Sequence, residues 1–215
     1  LACGETSLDS GLDGGLDGGL DGGLDASTPP SSGPTNIENG GCVEDGTGSG
    51  IGDQLRNATF INCYGDEVNL HDGCGEKKLR VIAISTVWCP ACKAYLRGLT
   101  FDHVISGGDQ AEWDYLIVVA QDASGSPDIS SAECMAYAEL VEADPTKMVI
   151  DSNFNITIGE QLIDVCSNNG SISLPHMAIL DGWDMKYEYS RACKERYPNG
   201  SYTNWREAFI SELND

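Results

Sequence analysis

The residues best suited to chemistry are two cysteines three positions apart, in the run Thr86-Val87-Trp88-Cys89-Pro90-Ala91-Cys92-Lys93. If the first stands at the start of a helix and the second one turn inside it, the two can close into a short disulfide and open again. Cys89 falls at or beside the N-cap, where backbone N–H groups lacking intrahelical partners favour a thiolate. Pro90 suits the first helical position, because its fixed φ is already helical and its missing N–H is not needed there. Cys89 is therefore read as the nucleophile and Cys92 as the resolving thiol, with Cys89 the more exposed of the two. Lys93 adds a positive charge whose effect is small if solvent screens it. A structural zinc site would need a second close pair of ligands, and the sequence holds a single C-x-x-C.

The segments around the motif must place it. Arg80–Thr86 and Trp113–Ala120 are continuous β-branched and apolar runs, expected of central strands covered on both faces. A helix from Pro90 to about Gly107-Gly108 joins them, and a second opens at Ser130 with Glu133 in a capping box, burying Cys134, Tyr137, Ala138 and Val141. Strand, helix, strand, helix implies a parallel core with a right-handed crossover. Asn57–Asn62 and Glu67–Leu70 form a hairpin before this core. Met177–Leu180 and Lys186–Tyr189 form another after it, and a last helix, capped by Asn204, buries Trp205, Ala208, Phe209 and Leu213.

A Trp-Cys-Pro-x-Cys between a buried strand and a helix resembles the thioredoxin superfamily, and within it the TlpA-like and AhpC/TSA-like redoxins of bacterial envelopes. The resemblance covers residues 51–215 and implies a three-layer α/β/α sandwich with an N-terminal β-hairpin extension. It also implies that Pro175, in Ser173-Leu174-Pro175-His176, is cis and faces the cysteine pair, with Trp88, Leu174 and Pro175 as the docking surface for a protein or peptide thiol. The activity implied is thiol–disulfide exchange, with a membrane redox partner and no cofactor beyond the redox-active disulfide. Departures are visible: Ala83 stands where thioredoxin keeps a buried acid, and Tyr95 where some relatives have Glu. His176 is a candidate supporting residue, weighed against an ordinary strand histidine. Thr86-x-x-Cys89 echoes the peroxidatic motif of peroxiredoxins, without the proline that precedes it there, so a thiol peroxidase is the alternative. A copper-binding or chaperone module using Cys89, Cys92 and His176 is a third reading.

Composition bounds the rest. With 34 acidic and 12 basic residues among 215, the net charge of −22 opposes nucleic acid. No apolar run approaches the ~20 residues that span a bilayer. Nine cysteines point to an oxidising compartment, the bacterial envelope on the family resemblance. Residues 1–50, with nine acids, no Lys or Arg and a Leu-Asp-Gly-Gly repeat, read as a disordered tether. Calcium binding by that repeat is the weaker alternative. Leu1-Ala2-Cys3-Gly4 resembles the end of a lipobox and makes Cys3 a lipidation candidate and the possible membrane anchor. Asp151–Asn155 begins like an EF-hand loop but lacks its glycine and final glutamate. Four Asn-x-Ser/Thr sequons carry no weight in a bacterial protein. Cys63 and Cys74 are paired as a candidate structural disulfide, Cys134 is expected to be a buried thiol, and Cys42, Cys166 and Cys193 are left unassigned.

Overall fold

The computed structural model describes residues 41–97, 112–159, 162, 174–190 and 205–214. Seven strands form one mixed sheet: β1 (Thr59–Asn62), β2 (Glu67–Asn69), β3 (Leu79–Ser85), β4 (Trp113–Val119), β5 (Met148–Ile150), β6 (His176–Asp181) and β7 (Tyr187–Ser190). Their order is β2-β1-β5-β4-β3-β6-β7. β3, β4 and β5 run parallel, and β6, β7 and the first hairpin are antiparallel to their neighbours. All seven residues of β3 are buried, as a strand covered on both faces requires.

Alternation along β3 sends its side chains into two cores. Leu79, Val81 and Ala83 meet Leu96 of α1 (Pro90–Leu96), Cys134 to Val141 of α2 (Ser131–Val141), and Ala208 and Phe209 of α4 (Trp205–Asn214). Ile82 and Ile84 face the opposite layer, where Leu55, Phe154 and Leu162 pack with both motif cysteines. The short α3 (Asn155–Gly159) covers this side. Asp151 holds it by accepting from the Ile156 and Thr157 N–H groups at 2.8 and 2.7 Å, so the carboxylate that opens the EF-hand-like run is spent on the chain itself.

The capping box of α2 forms as expected: Ser130 Oγ accepts from Glu133 N at 3.2 Å, and Glu133 accepts from Ser130 N at 3.0 Å. Ser130→Ala should lower stability by about 1 kcal/mol, read as a shifted urea midpoint at constant slope. No shift would mean that tertiary packing alone holds the start of α2. Glycine is required at Gly182, in the turn between β6 and β7. Its N–H donates to Lys78 O at 2.8 Å, and a Cβ there would collide with the Lys77 carbonyl.

Three expectations need correction. Residues 41–50, assigned to the tether, are joined to the domain: Thr47 N donates to Gln54 O, Asn57 N donates to Glu44 O, and Cys42 is disulfide-bonded to Cys74 with Cα atoms 6.5 Å apart. Asn57, Gln54 and Cys74 supply the partners that an acidic, glycine-rich run cannot find within itself. Cys63 and Cys74 are not paired. The hairpin register sets Thr59 opposite Asn69 and Ile61 opposite Glu67, so Cys63 follows β1 at the turn end and Cys74 lies beyond the open end of β2. Cys134, expected as a thiol, instead forms the second disulfide with Cys63, at a Cα separation of 5.3 Å. The helix after the motif is described through Leu96. Cys3, Cys166 and Cys193, the Leu-Asp-Gly-Gly repeat, Asn204 and the Trp205 side chain lie outside the described residues.

Candidate active site

β3 ends at Ser85 on the edge of the sheet where β4 and β5 also end, and Thr86 to Trp88 carry the chain into α1. Cys89 is the N-cap residue, in extended conformation, and its Sγ accepts a hydrogen bond from Cys92 N at 3.2 Å. Lys93 N donates to Cys89 O at 3.2 Å, closing the first turn, with exposed Pro90 at its first position. The expectation of an N-cap cysteine with its partner one turn inside is met. The expected difference in exposure is not, because both cysteines are 0% exposed. Trp88 and Leu174 belong with them to one apolar cluster.

The Leu174-Pro175 peptide is cis, and Leu174 and Pro175 are both buried. The structure thus brings together Trp88, Cys89, Cys92 and Leu174 from two segments more than 80 residues apart in sequence. Lys93 is half-buried on α1. His176, the first residue of β6, is buried opposite Ile84 of β3, and its Nε2 lies 3.4 Å from Ser190 Oγ. It shares the sheet face of Ile84, in whose cluster the cysteines lie.

Sequence reasoning missed the residues that hold Trp88. Its indole N–H donates to Gln121 Oε1 at 2.8 Å, Gln121 O accepts from Val87 N at 2.9 Å, and Gln121 Nε2 donates to Asn153 Oδ1 at 3.4 Å. Asn153 has φ +56°, and its N–H donates to Ala120 O at 2.9 Å. Gln121 and Asn153 lie just past the ends of β4 and β5, where a parallel sheet presents its loops together. An Asn three residues beyond an apolar run is the one sequence signal for the left-handed position.

A seven-stranded mixed sheet with the cysteine motif at the end of β3 and a cis-proline before β6 settles the architecture. The fold is thioredoxin-like. Compared with protein-family models and with curated proteins, the sequence matches none. Among solved structures, a thiol:disulfide interchange protein from a Bacteroides species superposes with a TM-score of 0.54 at 14% identity, covering 78% of this chain and 92% of that one. A candidate DsbE-type thiol:disulfide interchange protein from Chlorobium tepidum gives 0.51 at 12% identity, over 77% and 99%. A conserved protein from Geobacillus kaustophilus gives 0.53 at 18% identity, over 79% and 82%.

Proposed function

We propose that the protein is an extracytoplasmic thiol–disulfide oxidoreductase that exchanges disulfides with protein or peptide thiols through Cys89 and Cys92. The observation that carries this reading is the N-cap position of Cys89, its sulfur accepting from Cys92 N, against Trp88 and Leu174. Two further disulfides, Cys42–Cys74 and Cys63–Cys134, support an oxidising compartment. The Bacteroides neighbour's designation as an interchange protein supports the same chemistry.

In the reducing direction, the Cys89 thiolate attacks a substrate disulfide, forming a mixed disulfide and releasing one substrate thiolate. Cys92 then attacks Cys89 Sγ, the second substrate thiolate departs, and two electrons have passed from the dithiol to the substrate. A dithiol donor regenerates the pair, and each step reverses for oxidation. Because both sulfurs are fully covered, docking of a chain segment over Trp88, Leu174 and Pro175 is the step that opens the site, which favours proteins or peptides as substrates.

A thiol peroxidase is the second reading. It is favoured by Thr86, whose buried hydroxyl finds no hydrogen-bond partner among the described residues. Assays of disulfide reduction with dithiol and of peroxide consumption, run side by side, separate the two: exchange is expected, and activity towards peroxide alone would overturn the first reading. The redox poise follows from the site. A backbone N–H on Cys89 Sγ, with Ala83 where a buried carboxylate would repel charge, favours the reduced pair. Equilibration with glutathione should give a potential less negative than the ~−270 mV of thioredoxin. A value at or below that figure would show that another group controls the thiolate.

A further inference from the structure

Trp88, the residue before Cys89, belongs to a run of hydrogen bonds with a single direction. Its indole N–H donates to Gln121 Oε1 at 2.8 Å, and one residue earlier Val87 N donates to Gln121 O at 2.9 Å. An indole only donates, so Gln121 must turn its amide oxygen to the ring and its amide nitrogen away. That nitrogen donates to Asn153 Oδ1 at 3.4 Å. The bonds run from Trp88 through Gln121 to Asn153 and join the motif loop to the ends of β4 and β5.

Asn153 is held there at a cost. It and Phe154 have φ of +56° and +59°, a conformation that asparagine tolerates and a bulky side chain rarely adopts. The loop after β5 keeps it because its backbone is stitched to the end of β4: Asp151 N donates to Val119 O at 3.0 Å, and Asn153 N to Ala120 O at 2.9 Å. Phe154 is buried in the cluster that holds Cys89 and Cys92, against which Trp88 also packs. Strained backbone persists where its surroundings over-determine it, and such places concentrate at functional sites. Here the strained segment presents one carboxamide to Gln121.

We propose that Gln121 and Asn153 are positioning residues that fix the Trp88 ring as a platform for a docking substrate chain, and so set a preference for peptide over small disulfides. The inference deepens the oxidoreductase reading and rests on it. Trp88 is half-buried, and a tryptophan with no partner for its N–H is free to turn between rotamers. Each docking event would then have to order the ring. Holding it beforehand removes that cost from binding, while the bond from Cys92 N to Cys89 Sγ, which serves the thiolate, does not involve the ring. The effect therefore belongs in KM.

The experiment uses the full chain with dithiothreitol as reductant, insulin as a disulfide carried on a chain, and bis(2-hydroxyethyl) disulfide as one with no chain to dock. Gln121→Leu should raise KM for insulin about tenfold, the upper end of what one hydrogen bond supplies, with kcat within about twofold. Asn153→Gly removes only the second link and is at home at positive φ, so it should melt no lower than the parent yet raise KM about threefold. Asn153→Asp keeps both the acceptor and the tolerance of that conformation, and should return KM to the parent value. Hydrogen exchange at the Trp88 indole N–H, assigned by its loss in Trp88→Phe, should quicken in the first two variants and not in the third. If KM for insulin stays in place in both removal variants, or if both disulfides lose turnover equally, the proposal is wrong. Should Gln121→Leu fail to fold, Asn153→Gly decides alone. A parent chain that reduces neither disulfide would instead overturn the oxidoreductase reading, and the platform with it.

Discussion

Replacing Cys92 with serine should turn the protein into a covalent trap. Cys92→Ser keeps the backbone N–H that donates to Cys89 Sγ, so the nucleophile retains its local partner. What it lacks is the second sulfur, and a mixed disulfide formed at Cys89 then has no internal route to release. Substrate-linked species should accumulate on non-reducing gels and dissolve with dithiol, while turnover falls by at least about a thousandfold, as for residues that act as one unit. Cys89→Ser should lose turnover equally but accumulate nothing, because Cys92 lies inside the first turn of α1 whereas Cys89 stands at its N-cap. Mass spectrometry of the trapped species identifies the linked cysteine. Equal trapping by both variants would overturn the assignment of roles.

The asymmetry of that prediction comes from position in the helix, which is why the motif was legible. A cysteine followed by proline after a buried strand has few places to go, since proline at the first helical position fixes where α1 begins. β3 and β4 were readable for a related reason: seven-residue stretches this rich in β-branched and apolar residues are long enough to declare a strand covered on both faces. β5 was not, because Met148–Ile150 has three residues and acquires its identity only from β4 and β1 on either side. Gln121, Asn153 and Ser85 escaped for the same kind of reason. A hydrogen bond between side chains more than 30 residues apart leaves no periodicity, and each of these looks like an ordinary strand or loop residue until the sheet order is known. The expectation that Cys89 is the more exposed failed because a local reading of the N-cap cannot see the apolar cluster, assembled from distant segments, in which both cysteines sit.

Removing the Cys63–Cys134 disulfide should be the most damaging change outside the motif. The pairing is a consequence of topology: β1 lies beside β5, so the residue after β1 meets α2, which crosses next to β5. Its Cα separation of 5.3 Å is ordinary for a disulfide, and its span of 71 residues closes a large loop in the unfolded chain. Chain entropy assigns such a loop about 4 kcal/mol. Cys63→Ala with Cys134→Ala should therefore lower the melting temperature by roughly 8–16 °C, with the loss confirmed from urea midpoints. The Cys42–Cys74 bond closes a span of 32, worth about 0.7 kcal/mol less by the same reasoning. It is also half-buried where the other is buried, so limited dithiol followed by alkylation should label Cys42 and Cys74 before Cys63 and Cys134. A loss below about 1 kcal/mol in the double variant would mean that packing of Tyr137, Ala138 and Val141 alone holds α2 on the sheet. If instead the full loss appears, Cys134 is the anchor that fixes α2 on the sheet one turn before Tyr137, whose hydroxyl lies 2.7 Å from Ser85 Oγ at the end of β3.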